Sequence, residues 1–272
     1  MQEEPVPGRS PGTGSFRRAL LGGAALLALA VGALAFASGR PAASDTRGAR
    51  PVLPDLGVAP LPDPLIERAH TGQRRLRFTV SIANVGAGPI EVHGVRLTTR
   101  SPFSTWQWIL RTDGSSVRVR TPSVRMVFVG TESHGHWHVR GAARYELRRL
   151  DRGTLVRVRM KRGFCLFDST PYRRSIPGSP AERRYPREAC GKQGALVFTM
   201  GISPGWKDDY YWRIPGQEID VTNLPHGRYR LLVTVDPRNW FRESNERNNV
   251  AWVDFVLSDS LLVKVLGRSP RL

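Results

Sequence analysis

Val250-Ala251-Trp252-Val253-Asp254-Phe255-Val256-Leu257 puts an apolar residue at every second position, with Ala251, Val253, Phe255 and Leu257 on one side. Only an extended chain collects such a pattern on a single face, so the stretch reads as a half-buried β-strand. Upstream, Tyr229, Leu231, Val233 and Val235 repeat the alternation. Nearer the start, Leu76, Phe78, Val80 and Ile82 alternate with Arg75, Arg77, Thr79 and Ser81, which reads as one strand. A Gly- and Pro-containing turn at residues 84–89 leads into a return strand at 90–97. Further short β patterns cover 105–110, 117–121, 126–129, 139–147 and 155–160, and no amphipathic helix of useful length is present. The predicted fold is all-β, an antiparallel β-sandwich with long loops. Residues 168–194 form the longest stretch without a β pattern, and Pro-rich loops of that length are often functional.

The chain has 272 residues, enough for one β-rich domain with a sizeable core. Arg9, Arg17 and Arg18 precede an apolar run from Ala19 to Ala37 that ends in Ala35-Phe36-Ala37. This reads as a signal peptide over residues 1–37, or as a retained N-terminal membrane anchor of the same residues; the Arg17-Arg18 pair is compatible with a twin-arginine signal. In both cases the domain is exported, secreted or held on the outer face of the membrane. A Pro-rich linker and domain start follow at 38–65, then the main domain at 66–258 and a tail at 259–272. In an oxidising compartment Cys165 and Cys190 are expected to pair, closing a loop that stabilises by about 3 to 4 kcal/mol; two separate buried thiols are the alternative. The net charge is +18. Outside the cell this favours an anionic cell-wall or membrane surface over nucleic acid, with a solvated arginine-rich face as the plainer reading.

Three of the six histidines lie at alternate positions of His134-Gly135-His136-Trp137-His138. On an extended segment they share a face and can converge on one ion. Nitrogen donors without cysteine favour copper(II), nickel or zinc over calcium or magnesium, which want oxygen. The plainer alternative is a strand face with incidental histidines; Trp137 would point the other way, towards the core.

Read outward from the histidines, the chain is similar to the catalytic domain of the lysyl oxidase family. The similarity runs through Arg144-Tyr145-Glu146-Leu147, Lys161-Arg162-Gly163-Phe164-Cys165-Leu166-Phe167-Asp168 and Gly201-Ile202-Ser203-Pro204-Gly205. It continues through Asp208-Asp209-Tyr210, Ile219-Asp220-Val221-Thr222, Gly227-Arg228-Tyr229, and Glu243-Ser244-Asn245 to Asn248-Asn249-Val250. The resemblance implies that His134, His136 and His138 bind copper, and that Tyr210 is oxidised by copper and dioxygen and then joined by Lys161 to give lysine tyrosylquinone. It implies a sandwich built around a copper site and a copper-dependent oxidation of primary amines, of the lysine ε-amine type, to aldehydes with release of ammonia and hydrogen peroxide. Lysine attacks only as the free amine, so Lys161 needs a lowered pKa, from burial or from Arg159 and Arg162. Asp208 and Asp209 are the nearest candidates for the base that removes the substrate's α-proton. The resemblance also implies a structural calcium between Asp55-Leu56 and the oxygen-rich turn Glu243, Asn245, Asn248 and Asn249, where animal members carry aspartate in place of Asn245. An Asn-rich turn that satisfies its own backbone is the alternative there.

Two other functions remain open at the level of sequence. One is a non-enzymatic secreted copper-binding or cell-wall adhesive module on the same scaffold. The other is a zinc or copper hydrolase, for which no accompanying motif is present. The basic charge leads to an expected preference for small amines or for lysine peptides with acidic flanks.

Overall fold

The computed structural model describes residues 48–131, 134–161 and 163–272, with the backbone alone at Thr131 and His134. The expected signal segment, the first part of the linker and Arg162 lie outside the described residues. The strands are β1 (Pro51–Val52), β2 (Leu56–Val58), β3 (Leu65–Arg68), β4 (Arg74–Arg77), β5 (Val80–Asn84), β6 (Ile90–Val95), β7 (Ser104–Arg111), β8 (Ser116–Arg120), β9 (Met126–Thr131) and β10 (His134–Val139). They continue with β11 (Ala143–Arg149), β12 (Leu155–Met160), β13 (Thr170–Pro171), β14 (Val197–Ile202), β15 (Trp206–Tyr210), β16 (Glu218–Asp220), β17 (Gly227–Val235), β18 (Val250–Leu257) and β19 (Lys264–Arg268). Every pairing is antiparallel, no α-helix occurs among the described residues, and a 3-10 turn covers Arg187–Cys190. The fold is all-β and antiparallel, as the period of two requires. None of the described helices is long and apolar enough to cross a membrane.

One five-stranded sheet runs β12-β11-β17-β18-β19, and the alternating stretch quoted first pairs with its central strand: Ala251, Val253, Phe255 and Leu257 are buried opposite Val233, Leu231, Tyr229 and Gly227. A second five-stranded sheet contains β1-β7-β6-β14 with β8 on β7; β13-β15-β5-β2 and β16-β4-β3 make two more sheets, and β9 pairs with β10 alone. Faces of these sheets close on one core. Phe78 meets Tyr145 edge-on at 4.9 Å, and β2 crosses β17 and β18.

Two long patterns are broken where one strand was predicted for each. Residues 74–84 divide at Phe78-Thr79, because the Phe78 N–H donates to the Gln217 carbonyl at 3.3 Å and Thr79 Oγ1 accepts from the Trp212 N–H at 3.1 Å. β4 then pairs with β3 and β16, and β5 with β2 and β15. Residues 139–147 divide at Gly141, whose φ of 74° lets the chain leave β10 and enter β11. The periodicity carries through both breaks, since the inward residues stay inward; the change of sheet leaves no mark on it.

Candidate active site

β10 pairs with β9 in the register His134↔Thr131, His136↔Val129 and His138↔Val127, so the histidine run is a strand, and the alternation puts its histidine positions on one face. The rings of His136 and His138 lie 4.7 Å apart, and His138 is buried; the His134 side chain lies outside the described residues. Trp137, on the other face, is half-buried, packs edge-on against Phe103 and Phe128, and donates its indole N–H to the Lys192 carbonyl at 3.0 Å. Among the described residues no group of three His, Cys, Asp or Glu converges on one point. The described part of the nitrogen-donor face is therefore His136 and His138.

The end of β10 is stitched to the lysine segment. The Val139 N–H donates to the Phe164 carbonyl at 2.8 Å and the Phe164 N–H to the Val139 carbonyl at 3.1 Å, while the Lys161 N–H donates to the Ala143 carbonyl at 3.0 Å. Gly163 lies directly on His138: a Cβ added at Gly163 would stand 2.5 Å from His138 Cβ and 3.2 Å from its Nδ1. This bridge brings Phe164 edge-on to Tyr210 at 4.3 Å. It also fixes the phenol, because the Tyr210 hydroxyl accepts from the Cys165 N–H at 3.0 Å and donates to the Cys165 carbonyl at 3.2 Å.

Lys161 is 5% exposed, and its Nζ stands 5.3 Å from the Tyr210 ring centre and 5.9 Å from that of Phe164. It donates to the Pro215 carbonyl at 3.4 Å, and Gly216 (φ 87°) leaves room beside the amine, since a Cβ there would lie 3.4 Å from Nζ. Burial brings its pKa down to about 8, with Arg159 helping and Glu218 and Asp208 opposing. Tyr210 is buried as well; burial, followed by the neighbouring Asp208 charge, holds its phenol well above the usual range.

The two aspartates separate by strand alternation. Asp208 shares the Tyr210 face of β15 and is fully buried; burial raises its pKa, the Tyr210 hydroxyl and Lys161 pull it down, and Asp209 pushes it up. Asp209 faces the opposite way, where Ser81, Thr170 and Lys207 take up its carboxylate. Neither aspartate lines the cavity described next, and Asp209 is turned away from the tyrosine altogether.

A cavity of about 840 Å³ is lined by His138, Lys161 and Tyr210, with Glu218, Met160, Ile214 and Trp240 among its other walls. Pro215, Gly216 and Glu218 went unrecognised in the sequence. Asp168, the last residue of the lysine motif, accepts from the N–H groups of Arg184, Tyr185 and Ser203 and from the Ser203 hydroxyl, which ties down the Pro-rich loop. Cys165 and Cys190 are disulfide-bonded across that loop, with Cα atoms 5.9 Å apart.

At the other expected metal site, the Glu243 carboxylate accepts from the Leu56 N–H and from Asn249 Nδ2, and Asn248 Nδ2 donates to Asp55 Oδ1 at 2.7 Å. Leu56 meets this group through its N–H. Asn245 is exposed and closes its own turn by accepting from the Arg247 N–H at 3.1 Å, so it stands apart from the cluster. The Asn248 and Asn249 side-chain oxygens are buried without a hydrogen-bond partner. Burial, above all, pushes Glu243 up to about 8 and raises Asp55 and Glu246. Unpartnered amide oxygens beside carboxylates raised by burial are what a hard cation would relieve.

Comparison with known proteins places these motifs. Residues 107–266 match the family described as Lysyl oxidase, a span that takes in the histidines, Lys161, Tyr210 and Glu243. Lysyl oxidase homolog 1 of Homo sapiens is 35% identical over 118 residues, 43% of this chain and 18% of that protein. Protein-lysine 6-oxidase of Homo sapiens is 34% identical over 125 residues, 44% of this chain and 26% of that protein. Protein-lysine 6-oxidase of Gallus gallus is 32% identical over 122 residues, again 26% of that protein, so the chain spans only about a fifth to a quarter of these relatives. With its histidine strand, its lysine segment and its tyrosine strand folded against one another, the chain belongs to the lysyl oxidase family.

Proposed function

We propose that this chain is an exported copper-dependent amine oxidase acting on primary amines of the lysine ε-amine type, a substrate to which the names of its relatives point. The observation that carries the reading is the placement of the Lys161 amine, held near a pKa of 8, at 5.3 Å from the Tyr210 ring in a cavity that His138 also lines.

The donor chemistry fits copper: imidazoles at alternate positions of a paired strand, with Gly163 keeping the space that the His138 ring occupies. His134, His136 and His138 would hold the ion. Once bound, copper and a lysine tyrosylquinone made from Lys161 and Tyr210 would supply the two-electron oxidation of an amine, with water taken up to give the aldehyde and ammonia and dioxygen reduced to hydrogen peroxide. The protein's own contributions precede that step. The burial that lowers Lys161 keeps a usable fraction of it as the free, nucleophilic amine at neutral pH. The Cys165 backbone orients the Tyr210 hydroxyl, and the Phe164 ring packed against Tyr210 limits water around it. Asp208, adjacent to both groups, is the residue placed to take the proton that Lys161 must lose. Asp209 has no part in this reading. Asp55, Glu243, Asn248 and Asn249 would hold a structural calcium, with Glu246 nearby.

Residues 1–37 would carry the chain out of the cell, and its basic surface would face anionic wall or membrane polymers. The test is peroxide release from n-butylamine by the copper-loaded chain. Release that vanishes in Tyr210→Phe while copper content is kept supports the oxidase. Full copper content without peroxide in the unaltered chain points instead to the non-enzymatic copper-binding module.

A further inference from the structure

The cavity that holds Lys161 and Tyr210 has an unusual charge for a site that must admit an amine. Among the described residues Arg125, Arg140, Arg159 and Arg238 line it, against a single carboxylate, Glu218. Glu218 is already engaged: one oxygen pairs with Arg159 at 2.9 Å, and the other with Arg77 at 2.9 Å and the Gly216 N–H at 3.0 Å. Arg125, Arg140 and Arg238 are exposed, and among the described residues none of the three forms an ion pair. Arg125 donates only to the carbonyls of Pro122 and Val124, and Arg238 stands over the Trp240 ring. A bare ammonium approaching such a mouth is repelled, whereas a molecule that brings its own carboxylate beside the amine is drawn in and oriented. The same positive field favours loss of the ammonium proton, leaving the neutral amine that the chemistry needs. Met160, Ile214 and Trp240 provide apolar wall for an aliphatic stem between the two charges.

We propose that the cavity selects lysines flanked by Asp or Glu, with Arg125, Arg140 and Arg238 receiving the flanking carboxylates while the lysine side chain runs inward towards Tyr210. This rests on the oxidase reading above for its turnover, but not for its binding. Arg159 is left out of the receiving set because Glu218 holds it.

The test has two arms on the copper-loaded full chain. In the first, kcat/KM for peroxide release is compared between acetyl-Glu-Lys-Glu-amide and acetyl-Gln-Lys-Gln-amide. An advantage of about tenfold or more for the acidic peptide is expected, shrinking as salt rises from about 20 to about 300 mM. In the second, calorimetry measures binding of the non-oxidisable acetyl-Glu-norleucine-Glu-amide and its glutamine counterpart. The acidic analogue should bind more tightly; Arg140→Gln with Arg238→Gln should remove most of the difference, and Arg118→Gln, on β8 away from the cavity, should leave it in place. Equal binding of the two analogues, or a preference unchanged in the double variant, overturns the proposal. Selective binding without peroxide from either lysine peptide upholds the proposal and sinks the oxidase reading instead.

Discussion

At Gly163 the backbone of the lysine segment touches His138 so closely that a single methyl group cannot be added without moving that histidine. Gly163→Ala is therefore expected to weaken copper binding by about 10- to 100-fold, the usual cost of disturbing the residues that hold a ligand in place. Competition with a copper chelator measures this, and unchanged affinity would show that His138 is free to shift. Lys161 makes the second residue-scale case. With its pKa near 8, the fraction present as free amine climbs steeply with pH below that value, reaches half there and levels off about one to two units above it. The rate at which the Lys161–Tyr210 bond accrues after copper and air are supplied should follow that rise; a flat profile between pH 6 and pH 9, on either side of about 8, would remove the free amine from the rate-determining step. In sequence Lys161 ends a run of exposed strand residues and looks solvated. Its burial comes from Pro215 and Gly216, about fifty residues further on, and nothing local announces it.

The elements show a similar division. β17 and β18 were legible because each buries one face and exposes the other, which is what a period of two records. The histidine strand was found by its histidines at every second position rather than by a buried face. What the pattern does not carry is a change of sheet, as at Phe78-Thr79 and Gly141, or a strand buried on both faces, such as β5, whose residues from Val80 to Asn84 are all buried. β14 and β15 lie in the motif region rather than in clean alternation, yet β15 decides between the two aspartates by its pleat. The loop from Asp168 to the disulfide is held by Asp168 and Cys190, and Cys165 is also the residue whose backbone grips the Tyr210 hydroxyl. Cys190→Ser should thus cost about 2 to 4 kcal/mol of stability and also slow formation of the Lys161–Tyr210 bond. Denaturant melts and peptide mapping measure the two effects; loss of stability with bond formation unimpaired would separate the disulfide from the tyrosine.

Across the whole molecule, the turn at residues 243–249 packs onto the start of the domain at Pro54, Asp55 and Leu56, about 190 positions away in the chain. Calcium there would tie this C-terminal turn to the start of the domain. Glu243, raised by burial to about 8, binds a proton more readily folded than unfolded, so without a cation its contribution to stability declines as pH climbs from about 4.5 through about 8. Chelation is accordingly expected to lower Tm more at about pH 8 than at about pH 5, where the protonated carboxyl needs no cation. A chelator effect equal at both pH values, or absent, would leave the Asn-rich turn as a self-sufficient structure. The histidines, Lys161 and Tyr210 could each be named from sequence through motif order, but the approach of the lysine segment to His138 depends on an isolated bridge between Val139, at the end of β10, and Phe164, outside the named strands. The most direct measurement is mass spectrometric peptide mapping of the copper-loaded, air-exposed chain. A single covalent peptide joining Lys161 to Tyr210 is the expected result; recovery of both residues in separate linear peptides from copper-replete protein would contradict it.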